Sequence, residues 1–273
     1  MSDRVTISID GGVADVRFNR PEKRNALDGD QFLAIAEAGE RLKSEPGVRC
    51  VVLSGEGPSF CAGLDFASFQ SMAGGAGTGG GERRGGDPSA IAGDRITHLG
   101  QQVAWVWQEL PVPVIAAVHG HALGGGIQIA LGADIRIVHP TTQLSVREVF
   151  WGLVPDMTGT LVLSRLVRPD VAKELTFTAR VFSGEEALAL GIATRVSETP
   201  LEDALDLARE IAANSPDAVR GAKALFNGLY TAGAGAQFAE ERRVIGSLIG
   251  SPNQVECVMA SFEKRTPVFT DPA

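Results

Sequence analysis

Apolar and polar positions follow two different periods in the first two thirds of the chain. Three short, largely apolar runs stop within two residues of a serine, glycine or proline, which is typical of buried strands, and residues 13–18 form an earlier strand-like segment. Residues 28–43 instead repeat apolar side chains at helical spacing, with Asp28 or Asp30 available as N-cap. Interleaved strands and helices predict an α/β fold whose sheet is covered on both faces. The apolar runs are residues 50–53, 114–118 and 135–138.

From residue 201 onward the pattern is helical. The last helical segment would expose an apolar face with Val255, Met259 and Phe262, and such a face needs a partner surface. The sequence therefore predicts an α/β core at residues 1–200 and a helical C-terminal oligomerisation region at residues 201–273. Helices of this second region are predicted to begin near Leu201, Pro216, Phe238 and Pro252.

Composition and charge exclude several classes of protein. The 273 residues are 44% hydrophobic and 21% charged, as in an ordinary globular protein, and the net charge of -8 argues against nucleic-acid binding. The apolar stretches are far shorter than the roughly 20 residues that span a bilayer, and the N-terminus lacks the pattern of a signal peptide. Three cysteines without a C-x-x-C spacing indicate neither disulfides nor zinc and favour the cytoplasm. His119 and His121 lack a third ligand nearby, so no metal site is predicted.

A glycine-rich segment at residues 74–86 is the main low-complexity stretch. It contains eight glycines and no side chain that could fill a core. We predict a surface loop, either a simple insertion or a lid over a binding site.

Two glycine-containing loops follow predicted strands and offer backbone N–H groups to a ligand. They are residues 60–65 and residues 122–128, and the second opens a helix whose first N–H groups favour negative charge. If both loops point at one spot, their N–H groups form an oxyanion hole. Each loop taken alone is equally well a tight turn that uses glycine's backbone freedom. No G-x-G-x-x-G pattern follows the first strand with an acid about 20 residues on, which argues against a dinucleotide-binding dehydrogenase.

Several ordered segments resemble the signatures of the crotonase superfamily, the enoyl-CoA hydratase/isomerase family. The resemblance covers nearly the whole chain, from about residue 13 to residue 265. Several motifs in the same order are far more specific than any one of them. The matching segments are VRFNRPEKRNAL at residues 16–27, SFCAGLD at 59–65, PVIAAVHG at 113–120 with three glycines at 124–126, and FSGEEA at 182–187.

The resemblance implies both a fold and a substrate class. The fold is a spiral of ββα units followed by a helical trimerisation region, so we expect a homotrimer or a dimer of trimers. The substrate is an acyl-CoA thioester in an extended groove, with coenzyme A as part of the substrate and no separate cofactor. The implied oxyanion donors are the backbone N–H groups of Leu64 and Gly125. The other positions that match the family's substrate contacts are Arg24, Ala26, Ala62, Asp65, Gln128, Phe262 and Lys264.

These contact positions also have ordinary structural alternatives. Arg24 and Lys264, which match cations near the CoA phosphates, are equally well solvated surface charges. Ala26 and Ala62 would line the groove, and Phe262 would cover CoA from a neighbouring subunit. Simple packing is the alternative for all three.

The family's acids match this sequence only in part. Glu148 matches one catalytic acid, and a salt bridge to Arg147 or to another surface base is the alternative for its side chain. The second glutamate of a hydratase is replaced by Gln128, whose amide neither takes nor gives a proton at neutral pH. Asp156 follows Glu148 at the spacing of the dienoyl-CoA isomerase branch, although Gln128 departs from that branch too. Asp156 is also well placed to cap the following helix, and both roles stay open.

Position 128 decides between the candidate activities. Isomerases that shift a single double bond need one acid, which Glu148 supplies, so double-bond isomerisation is slightly favoured over hydration of a 2-enoyl-CoA. Outside the enzyme class, the alternative is a catalytically weak scaffold that binds acyl-CoA. A dehydrogenase would have to bind a nicotinamide dinucleotide.

Overall fold

The computed structural model describes residues 3–66, 68, 95–231 and 233–268, and the glycine-rich loop predicted at residues 74–86 lies outside these ranges. The four strands predicted from the sequence are confirmed, and the described residues add four more. The strands are β1 (Val5–Asp10), β2 (Val13–Phe18), β3 (Cys50–Gly55), β4 (Val114–Val118), β5 (His121–Leu123), β6 (Ile135–Val138), β7 (Gln143–Ser145) and β8 (Arg195–Val196).

Ten α-helices are described together with two 3-10 helices, Pro21–Lys23 and Glu148–Trp151. The first α-helix has Asp28 as its N-cap, as the sequence indicated. The α-helices are α1 (Gly29–Leu42), α2 (Leu99–Glu109), α3 (Gly125–Leu131), α4 (Gly159–Leu166), α5 (Pro169–Thr178), α6 (Gly184–Leu190), α7 (Pro200–Ala212), α8 (Pro216–Thr231), α9 (Ala234–Leu248) and α10 (Pro252–Glu263).

The start of α9 differs from the sequence-based prediction. The helix begins at Ala234, after Gly233 in the left-handed conformation, and not near Phe238. The prediction was wrong because the first residues of this helix are alanine and glycine, which carry no apolar periodicity. Phe238 is the first large apolar residue of the helix, and its ring packs edge-on against Trp105 with centroids 4.8 Å apart.

The chain winds repeatedly between two layers of strands. Six strands form the main sheet in the order β1-β2-β3-β4-β6-β8, in which β1 and β2 are antiparallel and the other neighbours are parallel. The second layer contains the parallel pair β5–β7, and an isolated bridge between Cys61 and Ala122 extends it. After β4 the chain passes through β5 into α3 before it returns to the main sheet at β6. This alternation is the predicted ββα spiral, and the α/β class is confirmed.

Both faces of the main sheet are buried, which explains the apolar strands. One face contributes residues such as Val51, Leu53 and Val114 to the largest apolar cluster. The other face packs against α7, where small side chains at helical spacing let the helix approach the sheet closely. The small side chains are Ala204, Ala208 and Ala212. Since α7 belongs to the region predicted from residue 201, that region supplies part of the sheet's cover.

A buried ion pair attaches α8 to the α/β core. The Lys223 ammonium group donates to the Asp134 carboxylate at 2.8 Å, and to the carbonyl oxygens of Trp107 and Val112 at 2.9 Å each. All three ammonium hydrogens therefore have acceptors, which is the condition under which a buried lysine is tolerated. This contact holds α8 against the α/β core.

Candidate active site

The two glycine loops predicted to face a ligand are hydrogen-bonded to each other. Cys61 N donates to His121 O at 2.9 Å, and Leu123 N donates to Cys61 O at 3.2 Å. The approach is so close that a Cβ atom on Gly63 would lie 2.6 Å from Leu123 O, and one on Gly126 would lie 2.2 Å from Cys61 O. Only glycine fits at these two positions, because any side chain would collide with backbone atoms.

The backbone N–H groups of Leu64 and Gly125, one in each loop, have no acceptor among the described residues. Around Leu64, the N–H groups of Ala62 and Asp65 donate to Arg24 O and Leu27 O. Around Gly125, the preceding Gly124 N donates to Ser145 O, whereas Gly125 is the first residue of α3. Helix-start N–H groups have no partner within the helix, so the Gly125 donor points outward from it. Leu64 and Gly125 are the two donors predicted from the sequence.

The amide of Gln128 makes three hydrogen bonds and is 1% exposed. Its Nε2 donates to Glu148 Oε1 at 2.6 Å. Its Oε1 accepts from the backbone N–H groups of Met157 and Gly159, both at 3.0 Å. An amide supplies both a donor and an acceptor, which a carboxylate at this position could not do. The amide that departs from the hydratase pattern is therefore a structural link between Glu148 and the start of α4.

Glu148 lies beside the second glycine loop with one carboxylate oxygen unpartnered. A Cβ atom on Gly124 would lie 3.3 Å from Glu148 Oε1, and Oε2 has no hydrogen-bond partner although it is buried. Burial raises the pKa of Glu148 to about 7, against the opposing effect of the Gln128 hydrogen bond. A carboxyl group with this pKa can take or give a proton at neutral pH.

The salt bridge from Arg147 that the sequence left open for Glu148 does not form. The Arg147 side chain donates instead to Ala179 O at 2.9 Å and lies over the Phe150 ring, 4.0 Å from its centroid. Adjacent residues in a turn point their side chains apart, and here only Glu148 faces Gln128.

Asp156 is not the N-cap of α4, so that alternative is wrong. The N-cap is Thr158, which has a positive φ of 68° and makes no side-chain capping bond. The helix-start N–H groups are bonded by side chains from distant elements, which the local sequence could not indicate. Burial first, and then the charges of Glu148 and Glu241, together raise the pKa of Asp156 to about 7. Two carboxyl groups with raised pKa values thus occur near the glycine loops.

The remaining predicted contact residues lie around the first glycine loop and the end of the chain. Arg24 is exposed, with Nη1 3.5 Å from His121 Nε2. The Asp65 carboxylate pairs with Arg20 at 2.7 Å, so its charge is already neutralised. Phe262 is 39% exposed, and its ring centroid lies 6.1 Å from that of Phe66 in the same chain. Ala26 is buried, Ala62 is half-buried and Lys264 is exposed.

The described residues show neither a metal-binding cluster nor a membrane-spanning helix. Residues 3–66, 68, 95–231 and 233–268 contain no group of three or more His, Cys, Asp or Glu side chains arranged to hold a metal ion. None of the described helices has the length and hydropathy that a bilayer crossing requires.

Cys50, Cys61 and Cys257 are buried free thiols, and burial raises the pKa of Cys61 to about 12, which makes it unreactive.

Comparison with known proteins identifies the family. A family model described as enoyl-CoA hydratase/isomerase matches residues 8–272. A short-chain-enoyl-CoA hydratase of Clostridium acetobutylicum is 33% identical over 266 residues, which cover 96% of each chain. The mitochondrial methylglutaconyl-CoA hydratase of Mus musculus is 32% identical over 265 residues, 94% of this chain and 79% of the relative. The crystal structure of an enoyl-CoA hydratase/isomerase from Pseudoalteromonas atlantica T6c matches with a TM-score of 0.84 at 28% identity, covering 98% of this chain and 100% of the other.

The chain therefore belongs to the enoyl-CoA hydratase/isomerase family, as its sequence motifs indicated.

The raised pKa of Glu148 predicts a pH-dependent cost to stability. Its native pKa of about 7 lies above the ordinary 4.5, so this cost is absent at pH 4 and grows as pH rises through 7. We expect Glu148→Gln to raise the free energy of unfolding at pH 8 by up to about 3 kcal/mol, with little change at pH 4. Urea denaturation at both pH values measures this, with the exposed Glu210→Gln in α7 as control. An equal effect at both pH values would contradict the prediction.

Proposed function

We propose that this protein binds an acyl-CoA thioester and stabilises the enolate formed from it. The main supporting observation is that the N–H groups of Leu64 and Gly125, which have no acceptor within the described ranges, lie on two loops that hydrogen-bond to each other. Negative charge that develops on a thioester oxygen needs such preorganised donors. Glu148, with one unpartnered carboxylate oxygen beside the second loop, is the acid/base group.

The favoured reaction moves a double bond along the acyl chain. The Glu148 carboxylate removes a proton from C2 of a 3-enoyl-CoA, and the electron pair of the C–H bond becomes the enolate, with its charge on the thioester oxygen. The carbonyl then re-forms, a C2=C3 double bond replaces C3=C4, and C4 takes a proton. Asp156 in its protonated form supplies that proton, and the proton held by Glu148 returns to Asp156 through solvent.

Gln128 is the reason to favour isomerisation over hydration. Its amide has no proton to exchange, and all three of its hydrogen bonds are made to protein groups. It therefore has no free acceptor with which to activate a water molecule as a second glutamate would. Hydration of a 2-enoyl-CoA, with Glu148 alone activating water, is the second candidate, because the relatives described above bear hydratase names.

The CoA part of the substrate would lie along the first glycine loop. The exposed cations Arg24 and Lys264 are available for its phosphates, and the backbone at Ala26 and Ala62 for its other polar groups. Phe262, next to Phe66, would cover the bound molecule. No separate cofactor is needed, because protein side chains and solvent carry all the proton transfers.

Exposed apolar side chains support a homo-oligomer, which we propose is a trimer or a dimer of trimers. On α8, Leu225, Phe226 and Leu229 are 77%, 68% and 71% exposed. On α10, Met259 is also exposed, whereas Val255 is half-buried. Such a surface is uncommon on a monomer. The free thiols support a reducing, cytoplasmic location.

Parallel assays with 3-enoyl-CoA, 2-enoyl-CoA and dienoyl-CoA test the proposed reaction. We expect the protein to interconvert the 3-enoyl and 2-enoyl thioesters. Chromatography of the products measures this interconversion. Glu148→Gln should lower kcat by about 10²- to 10⁴-fold, the usual contribution of a general base, while Glu210→Gln should not. Hydration alone would favour the second candidate. Tight binding of acyl-CoA without turnover would indicate the non-catalytic scaffold.

The backbone donor at residue 125 can be removed by proline. Gly125→Pro deletes the N–H at the first position of α3, where proline is otherwise compatible with a helix. Gly125→Ala is the matched control, because it adds a Cβ near Leu27 and Met157 but keeps the N–H. Relative to alanine, we expect proline to lower kcat about 10²- to 10³-fold. Equal activities of the two variants would refute the role of this N–H.

Sedimentation equilibrium measures the assembly. We expect a mass of three or six times 28.6 kDa. Replacing Phe226 and Leu229 together by serine removes apolar surface from α8 and is expected to weaken the assembly if α8 lies in an interface. A monomeric wild-type protein at micromolar concentration would contradict the proposed oligomer.

A further inference from the structure

Glu241 is a buried acid in α9 that the sequence patterns did not single out. It is 5% exposed, and its carboxylate accepts three hydrogen bonds. Oε2 accepts from Gln101 Nε2 at 3.1 Å and from Thr158 N at 3.2 Å, and Oε1 accepts from the Thr160 hydroxyl at 2.6 Å. These donors come from α2 and from the start of α4, so Glu241 joins three helices at one point.

The start of α4 is held by two side chains from elsewhere in the fold. Gln128 accepts the N–H groups of Met157 and Gly159, and Glu241 accepts the N–H of Thr158, which lies between them. No side chain within the turn itself caps the helix. The backbone N–H groups of the three residues that directly follow Asp156 are thus all hydrogen-bonded, two to Gln128 and one to Glu241. A negative charge is favourable at this end of a helix.

Charged groups act on Asp156 from two neighbouring elements. They are Glu148 in the 3-10 helix and Glu241 in α9, and both disfavour a second negative charge in addition to the effect of burial. Three hydrogen bonds and the neighbouring Arg242 favour the ionised form of Glu241, although burial raises its pKa. Glu241 therefore disfavours ionisation of Asp156 and also holds the segment that follows it.

We propose that Glu241 is a positioning residue that fixes the segment carrying Asp156 and, by its negative charge, keeps Asp156 in the protonated form. Asp156 then donates the proton to C4, while Glu148 accepts the proton from C2. This inference rests on the proposed function, and it explains how two carboxyl groups in one site take opposite roles. The net exchange leaves Glu148 protonated and Asp156 ionised, and a proton transfer between them through solvent restores the starting state.

Glu241→Gln tests the electrostatic role while keeping the shape. The amide oxygen can accept from Gln101 and Thr158, and the amide NH₂ can donate to Thr160, whose hydroxyl turns to accept it. We expect the alkaline limb of the kcat/KM profile for 3-enoyl-CoA to move to lower pH by about one unit, the effect of one close charge in a partly buried site. The pH dependence of kcat/KM reports the pKa values of the acid and base groups in the free enzyme.

The control is Glu210→Gln in α7, which removes an exposed charge far from the site and should leave the profile unchanged. If Glu241→Gln lowers kcat/KM by the same factor at every pH, or leaves the pH profile the same as that of the wild type, the inference is overturned while the proposed function stands. A wild-type protein without isomerase activity would overturn both.

Asp156→Asn supplies a second test that does not depend on the folding of a Glu241 variant. We expect it to lower kcat about 10²- to 10⁴-fold and to abolish the alkaline limb, because no donor remains to ionise. Where both variants fold, adding Glu241→Gln to Asp156→Asn should produce no further shift of the profile. Full activity in Asp156→Asn, or an unchanged alkaline limb, would overturn the inference.

Discussion

The side-chain amide of Gln128 links Glu148 to the segment that follows Asp156 in the candidate site. Its nitrogen donates to Glu148, and its oxygen accepts two N–H groups that flank Thr158 at the start of α4. Each end of the amide is matched to a partner of opposite hydrogen-bonding character, so rotation of the amide by half a turn would break all three bonds. Buried polar groups tolerate no such loss, which fixes Glu148 and the segment after Asp156 in one arrangement.

The close contact of the two glycine loops creates the other half of the site. Cys61 and Leu123 exchange hydrogen bonds across the loops, and Gly63 and Gly126 leave no room for a side chain between them. Most backbone donors of the loops are used in this contact or in neighbouring turns. Among the described residues the N–H groups of Leu64 and Gly125 keep no acceptor, and donors preorganised in this way need no rearrangement when charge develops on a ligand.

The helical C-terminal region contributes to the candidate site. α7 covers one face of the main sheet, and the buried Lys223 of α8 pairs with Asp134 of the core. From this anchor the chain continues into α9, where Glu241 contacts the start of α4. Removing one partner of such a buried charged group is strongly destabilising, so these contacts hold α8 and α9 against the core. The predicted boundary at residue 200 thus separates two regions that share the sheet's core and the candidate site.

Local sequence determined four of the eight described strands, the starts of α1, α3, α7, α8 and α10, the two glycine loops and the position of Glu148, because these depend on periodicity and on motifs of a few adjacent residues. The same reasoning misplaced the start of α9, where alanine and glycine carry no period, and left Asp156 open between capping and chemistry. Only tertiary structure decided that α4 is capped by Gln128 and Glu241, the latter 83 residues away from Thr158 along the chain. A hydrogen bond across such a separation depends on how α9 docks against α4, and no local pattern of side chains encodes that docking.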